Sequence, residues 1–384
     1  KKLNQSGIHT CTALASTALP RIRGMQQTRF EYLKVQATLQ LASAGQIPPL
    51  YEILKPDNGQ GLALLPPHDA ADVFFDIEGF PLEEGGLEYL WGNTYFDEAG
   101  QRQFLDFWAH NPEQEKQAFQ SFIQWAYQRW QAHPHMHIYH YASYEVTACK
   151  RLMGRYGVCE HEVDQLLRHG VFVDLYRIVK TGLLLGEPRY SIKNVEHLYR
   201  GKRDTAVGNG GDSVVVYERW REMPDGDTWE TSQILRDIRD YNRDDCESTQ
   251  ELTAWLREQQ AIHGIEWVAP TVPDNKDQKE EITELTRLRD QLLQRMEQEP
   301  PTQAALTEHL AWTLEFHRRE AKPVWWRLFE RKASTHDELL DDIDCLACCT
   351  LTDTPTFKPT PKARNLAYTY TVEAQEFKRP RGSG

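Results

Sequence analysis

The spacing of hydrophobic and polar positions changes along the chain, and each spacing predicts a kind of element. Short apolar runs that alternate with polar residues, and that are separated by glycine-bearing turns, are typical of strands. We predict strands at Val73–Ile77, Glu88–Phe96, Phe104–Trp108, His137–Tyr141 and Val171–Val173. Apolar residues that recur every three or four positions predict helices. We predict helices at Glu113–Trp130, Tyr144–Tyr156, Leu175–Leu184 and from Thr231 to about Gln259.

The order of these elements predicts the fold class. Three strands in a meander are followed by a helix, a strand, a helix, a strand and further helices. That order favours an α/β fold in which a mixed five-stranded sheet is flanked by helices. We assign this domain to residues 71–262.

Smaller regions are predicted on both sides of this domain. Residues 1–45 predict short helices, and residues 46–70 are rich in proline and glycine and predict a linker. Residues 275–345 predict a charged helical region, and residues 350–384 predict the start of a truncated β-containing domain. The chain opens in a helical pattern without a starting Met, so we expect it to be a piece of a longer polypeptide.

A tight corner at Gly24 separates two of the predicted N-terminal helices. A helix, a short glycine-bearing corner and a second helix resemble a helix-hairpin-helix element. Such corners present backbone N–H groups to a phosphate. Gly24 is therefore a candidate substrate-binding position, with ordinary helical packing as the alternative.

Charge and cysteine content narrow the classes of function. The formal net charge of -13 argues against a surface coated in basic residues, although local basic patches stay possible. Seven cysteines without a disulfide-scaffold spacing predict a cytoplasmic protein, and no apolar run approaches the ~20 residues of a membrane helix. Cys345, Cys348 and Cys349 supply fewer thiolates than an iron–sulfur cluster takes, so we interpret them as structural cysteines.

Two carboxylates lie one residue apart at the end of the first predicted strand. Asp76 and Glu78 follow an apolar run, and alternate residues of a strand point to the same face. Two like charges at such a distance resist ionisation unless a cation lies between them. Oxygen ligands of this kind suit Mg²⁺ or Mn²⁺, which predicts a divalent metal site.

Further candidates lie on two of the predicted helices. Glu145 opens the helix after the fourth strand, within residues 140–145 (HYASYE). Tyr241 and Asp245 are four residues apart on the long closing helix and therefore share one face.

These three motifs, in this order, resemble the DEDDy type of DEDD exonucleases, in the DnaQ-like branch of the ribonuclease H fold. The resemblance implies a ribonuclease H-like fold and a 3′→5′ exonuclease activity. It implies that Asp76, Glu78, Glu145 and Asp245 are catalytic metal ligands and that Tyr241 is a catalytic residue. Glu145 departs from the pattern, because the family usually has Asp there and Glu is one methylene longer.

A narrower resemblance covers more of the chain. Residues 140–145, 172–176, 190–196 and 314–326 look like RecB-like nucleases with a ribonuclease-H-like module, often fused to a superfamily 1 helicase. The resemblance implies a RecB-type nuclease domain and a helicase domain as partners in the parent polypeptide. The chain has no Gly-x-x-x-x-Gly-Lys-Ser/Thr motif and therefore encodes no P-loop ATPase.

Phosphodiester hydrolysis by such a site needs an activated water and a stabilised leaving oxygen. Two Mg²⁺ or Mn²⁺ ions would serve both ends of an in-line displacement, with Asp76 as the bridging ligand and Tyr241 orienting the water. Lys193 is a candidate contact to substrate phosphates. We expect action on single-stranded DNA 3′ ends; a catalytically weak nucleic-acid-binding scaffold and an RNase of the same fold remain open.

Overall fold

Asp76 and Glu78 lie on the central strand of a five-stranded mixed sheet in the computed structural model of the chain. The structure describes residues 2–56, 59–200, 210–269, 284–296, 298–314, 316–317, 327–328, 331, 334, 339, 345–347, 349–360 and 365–372. Across these residues, no helix combines the length and the hydropathy that crossing a membrane requires.

The central sheet has the strand order β4-β3-β2-β5-β6. The strands are β1 Tyr51–Ile53, β2 Val73–Phe80, β3 Leu87–Phe96, β4 Arg102–Trp108, β5 Ile138–His140, β6 Phe172–Asp174, β7 Leu183–Leu185, β8 Thr350–Leu351 and β9 Tyr370–Thr371. Strand β2 pairs antiparallel with β3 and parallel with β5, and β5 pairs parallel with β6. The predicted α/β class with a mixed five-stranded sheet is confirmed.

Helices cover this sheet and continue into the C-terminal part of the chain. They are α1 Lys2–Gln5, α2 Cys11–Ser16, α3 Gln27–Ser43, α4 Pro112–Ala132, α5 Tyr144–Tyr156, α6 Glu160–Arg168, α7 Leu175–Gly182, α8 Ile192–Val195, α9 Gly210–Glu222, α10 Gln233–Ile262, α11 Glu284–Met296 and α12 Pro301–Leu314. Helix α5 has its predicted bounds and ends at Gly157, which adopts a left-handed conformation (φ 64°) that costs glycine little.

The two faces of β2 pack against different helices, because successive strand side chains point in opposite directions. Phe75 stacks on Phe122 of α4 with ring centroids 4.3 Å apart. Phe74 belongs instead to the cluster that contains Leu252 and Leu256 of α10. Asp76 and Glu78 share the face of Phe74, so the strand alternation directs both acids toward the α10 side.

Two elements differ from their predicted form. The predicted helix Leu175–Leu184 ends at Gly182, and Leu183–Leu185 is strand β7, which pairs antiparallel with β1. The pairing partner comes from the segment interpreted as a linker, more than a hundred residues earlier in the chain. Such long-range backbone pairing cannot be read from local periodicity. Helices α6 and α9 were not predicted.

The chain divides into two compact units. One contains Thr10–Ser16 and Leu33–Glu281, and the other contains Lys1–His9, Thr17–Tyr32 and Ile282–Gly384. In the second of these, α11 packs on α12, and β8 pairs antiparallel with β9. The described cysteines are free thiols. Cys348 lies outside the described residues, and so do residues 318–326 of the segment that resembles RecB-like nucleases.

Candidate metal centre

Three carboxylates from two elements converge at the centre of the larger unit. Asp76 and Glu78 of β2 and Asp245 of α10 each offer an oxygen, and these oxygens lie within 4.8 Å of one another. Over the part of the chain that the structure describes, no other group of His, Cys, Asp and Glu side chains meets this criterion. The predicted convergence of the first and third motifs is therefore present.

A glycine directly after the acid pair lets the side chain of Tyr144, the first residue of α5, approach β2. The register with β3 shifts between Glu78 and Gly79, which marks a bulge. A Cβ on Gly79 would lie 2.2 Å from the Tyr144 hydroxyl oxygen, so only a glycine permits this approach. Tyr144 donates a 2.8 Å hydrogen bond to Glu88 of the neighbouring strand β3, which fixes the side chain of the first residue of α5 next to Gly79.

Glu78 has a strongly perturbed carboxyl group. It is 6 % exposed, and its Oε2 accepts a 2.7 Å hydrogen bond from Ser213 Oγ of helix α9. Burial, and then the negative charge of Asp245, raise the pKa of Glu78 to about 8. Clustered carboxylates that resist ionisation favour a divalent cation, which would remove the repulsion that raises this pKa. The donor set therefore fits Mg²⁺ or Mn²⁺.

Asp76 is held by a side chain from α10. Asn242 Nδ2 donates a 2.8 Å hydrogen bond to Asp76 Oδ2, and Asn242 is fully buried. One oxygen of the Asp76 carboxylate is thus fixed in direction by a neutral donor.

Tyr241 lies at the same site and keeps its proton. It is 3 % exposed, and it interacts with the Asp245 carboxylate through a side-chain hydrogen bond. Burial, followed by the charges of Asp245, Glu78 and Asp76, raises the pKa of the Tyr241 hydroxyl far above its ordinary value. At neutral pH the hydroxyl is a hydrogen-bond donor and not a general base.

Lys193 brings positive charge to the edge of the carboxylate group. Its Nζ lies 4.9 Å from the centroid of the Tyr241 ring, within the range of a cation–π contact. Its charge acts on Glu78 and opposes the rise of the Glu78 pKa. A cation in this place can face both the carboxylates and an incoming phosphate.

Glu145, the fourth predicted acid, is not a member of the three-carboxylate group. It lies in the first turn of α5 and is 3 % exposed. Its Oε2 lies 3.4 Å from Nδ1 of the buried His140. Burial raises the pKa of Glu145, and the facing His140 opposes that rise. The structure brings Asp76, Glu78, Tyr241 and Asp245 together, and it places Glu145 against a histidine.

Gly24, the predicted phosphate-binding corner, belongs to the other unit. It adopts a positive φ of 75°, and the Met25 N–H donates a 3.2 Å hydrogen bond to the Ile22 carbonyl. A tight corner is therefore present, and its binding role stays a prediction.

Asn242 and Ser213 are the site residues that sequence reasoning missed. Asn242 stands inside the third motif, directly after Tyr241, but an asparagine there predicts no metal chemistry by itself. Ser213 follows a stretch with no motif and reaches Glu78 only through the packing of α9. Neither residue has a spacing that could have identified it.

Comparison with known proteins agrees with this architecture. Residues 73–257 match the family model described as the RNase H superfamily, a stretch that contains all three carboxylates of the site. With the mixed sheet order, the match gives an RNase H-like α/β fold and supports a nuclease-type domain that acts on nucleic acid. No curated protein and no solved structure matches the chain.

Proposed function

We propose that residues 71–262 form a metal-dependent 3′→5′ exonuclease that hydrolyses phosphodiester bonds of single-stranded DNA. The observation that carries this proposal is the meeting of Asp76, Glu78 and Asp245 within 4.8 Å, with Tyr241 against them. The direction of cleavage and the single-stranded substrate follow from the resemblance to the DEDDy exonucleases. The domain would act inside a larger polypeptide with RecB-type nuclease and helicase domains.

The carboxylates supply the negative charge that holds divalent ions at this site. When bound, two such ions supply an activated water and stabilise the leaving 3′ oxygen. Asp76, whose Oδ2 accepts a hydrogen bond from Asn242 Nδ2, would be one ligand of these ions. Glu78 and Asp245 complete the donor set.

Tyr241 orients the attacking water in this proposal. Its hydroxyl keeps its proton, so it holds a water by a hydrogen bond and does not remove a proton from it. Lys193, next to the Tyr241 ring, neutralises the charge of the phosphate that enters the site. Local positive charge at this position is compatible with the net charge of -13 of the whole chain.

Glu145 stays a proposed ligand and is the weakest member of the set. Its carboxylate faces His140, so ligation requires the side chain to turn toward the other three acids. This observation favours a second candidate function, a catalytically weak module that binds nucleic acid and positions it for neighbouring domains.

End-labelled oligonucleotides distinguish these functions. We expect the chain with Mn²⁺ to release a labelled mononucleotide at once from 3′-labelled single-stranded DNA and to shorten 5′-labelled DNA stepwise. Gel-shift binding without release of mononucleotide would favour the scaffold, and faster cleavage of a matched RNA would favour an RNase.

Asp76→Ala tests the site within the same assay. We expect cleavage to fall by about 10²- to 10³-fold or more, the cost of losing one electrostatic stabiliser of a transition state. Asp240→Ala is the matched control, because Asp240 is an acid on α10 that pairs at the surface with Arg243. Wild-type cleavage by Asp76→Ala would show that the site is assigned to the wrong residues.

A further inference from the structure

Asn242 is a buried polar residue whose function the proposed reaction leaves open. It is 0 % exposed on α10, and its Nδ2 lies 2.8 Å from Asp76 Oδ2. A carboxylate accepts hydrogen bonds and cannot donate them when ionised, so the amide must present its NH₂ group to Asp76. A donor to an ionised carboxylate makes one of the stronger hydrogen bonds in proteins.

Packing alone does not explain an asparagine at this position. Among the described residues, Asn242 Oδ1 is buried and has no hydrogen-bond partner. A buried amide oxygen without a partner destabilises a fold, and an apolar side chain of similar volume would avoid that cost. The contacts that compensate for it are the hydrogen bonds of the Asn242 side chain with Asp76 and with Glu78, and the one to Asp76 has a length of 2.8 Å.

Strand β3 leaves room for this contact at Gly92. Gly92 is the β3 residue directly opposite Asp76 in the antiparallel register. A Cβ at Gly92 would lie 1.7 Å from Asn242 Oδ1 and 2.8 Å from Asn242 Cγ. Gly92 has no positive φ that would call for glycine, so the missing side chain is explained by its neighbours: the Asn242 amide, which is nearest, and the Phe104 ring, whose Cζ would lie 3.0 Å from the Cβ.

We infer that Asn242 is a positioning residue that fixes the Asp76 carboxylate for binding a divalent cation, and that Gly92 admits it to the site. The inference rests on the proposed function, since it concerns the same cation. It adds two residues that neither the carboxylate motifs nor the family match single out.

Manganese binding to the full chain, measured by isothermal titration calorimetry, tests the role of Asn242. Asn242→Leu keeps the branched arrangement of side-chain heavy atoms and removes both polar atoms, so we expect it to fold. We expect its Mn²⁺ affinity to fall by about 10- to 100-fold, the usual effect of removing a residue that orients a metal ligand. Thr253→Val is the control, because it removes one buried hydrogen bond, Thr253 Oγ1 to the Thr249 carbonyl, from the same helix. That variant should bind Mn²⁺ like the wild type.

A double-mutant cycle tests the link to Gly92. Gly92→Ala should weaken Mn²⁺ binding because the new Cβ displaces Asn242. The same change should have little further effect in an Asn242→Ala background, where the obstructing amide is gone. Gly154→Ala controls for the added methyl group, since a Cβ on Gly154 meets no atom within 4 Å.

Two results would overturn the inference while leaving the proposed function intact. One is a folded Asn242→Leu variant, checked by circular dichroism, that binds Mn²⁺ as tightly as the wild type. The other is a cycle in which the losses from Gly92→Ala and Asn242→Ala simply add. A wild-type chain that binds no Mn²⁺ would instead overturn the proposed function, and this inference with it.

Discussion

Glu78 has an environment that disfavours its own charge. It is buried, it faces Asp245, and its partners include the neutral donor Ser213. A carboxylate in such a place destabilises the metal-free fold once it ionises. The presence of a carboxylate at this buried position is therefore better explained by a role in binding a cation than by a role in stabilising the fold.

Glu78→Gln should stabilise the metal-free protein, and the gain should depend on pH. The folded-state pKa of about 8 lies above the ordinary value of 4.5, so the unfolded chain loses this proton first. The stability of the wild type therefore falls as the pH rises from 4.5 to about 8. The variant has no carboxyl group at this position, so it does not undergo this loss of stability. At the upper end of this window we expect the free energy of unfolding of the variant to exceed that of the wild type by at least about 1 kcal/mol, close to the free-energy equivalent of one pKa unit.

Urea unfolding in EDTA across this pH window measures the effect. Glu98→Gln, at an exposed position in the turn between β3 and β4, is the control and should follow the wild type. A Glu78→Gln variant that is no more stable than the wild type at the upper end would contradict the burial of charge described for this residue.

Tyr241→Phe separates orientation of water from metal binding. The variant loses only the hydroxyl, so we expect turnover to slow by up to about 10²-fold, as for a misplaced reacting group. Mn²⁺ affinity, measured by calorimetry, should stay close to that of the wild type. An unchanged turnover number would show that the hydroxyl does not orient the water.

Among the elements, α9 connects the site to an aromatic cluster that includes Tyr89 of β3. Ser213 of α9 donates to Glu78, and Tyr217, one turn later, stacks on Tyr89 with ring centroids 3.8 Å apart. His110, just after β4, lies with Nδ1 3.0 Å from the Tyr217 hydroxyl. The position of Ser213 therefore depends on how firmly this cluster holds α9.

Acidification should loosen α9 through His110. Burial, and then the charge of Arg221, lowers the pKa of His110 from 6.5 to about 4. Between these values the unfolded chain takes up a proton that the folded chain does not, so stability falls as the pH drops from 6.5 to about 4. His110→Gln cannot take up this proton and should lose less stability over the same window.

Thermal unfolding of His110→Gln and of the wild type through that window provides the test. His263→Gln, at an exposed position after α10, is the control and should follow the wild type. Equal losses in wild type and His110→Gln would contradict a neutral, buried His110.

Local periodicity predicted the elements that carry the site. The apolar run before Asp76 predicted β2, and the spacing of Tyr241 and Asp245 predicted one face of α10, since both patterns depend only on near neighbours. The pairing of Glu145 with His140 and the reach of Ser213 to Glu78 could not be predicted. The first depends on the rotamers of two buried side chains, and the second depends on packing between segments 135 residues apart, neither of which a sequence spacing encodes.

On the scale of the whole molecule, the carboxylate site belongs to a chain that is itself negatively charged. The net charge is -13, and three acids of the larger unit converge within 4.8 Å. Nucleic acid is itself an anion, so cations at the site must offset both the carboxylates and the phosphates. Divalent metal binding is thus the condition on which the proposed nuclease activity depends.

A crystal of the chain soaked in Mn²⁺, with anomalous scattering measured at the manganese edge, tests this condition directly. We predict an anomalous peak among the carboxylates of Asp76, Glu78 and Asp245. A map without a peak among these three side chains, in a crystal that takes up Mn²⁺ elsewhere, would contradict the metal centre and the nuclease activity proposed from it.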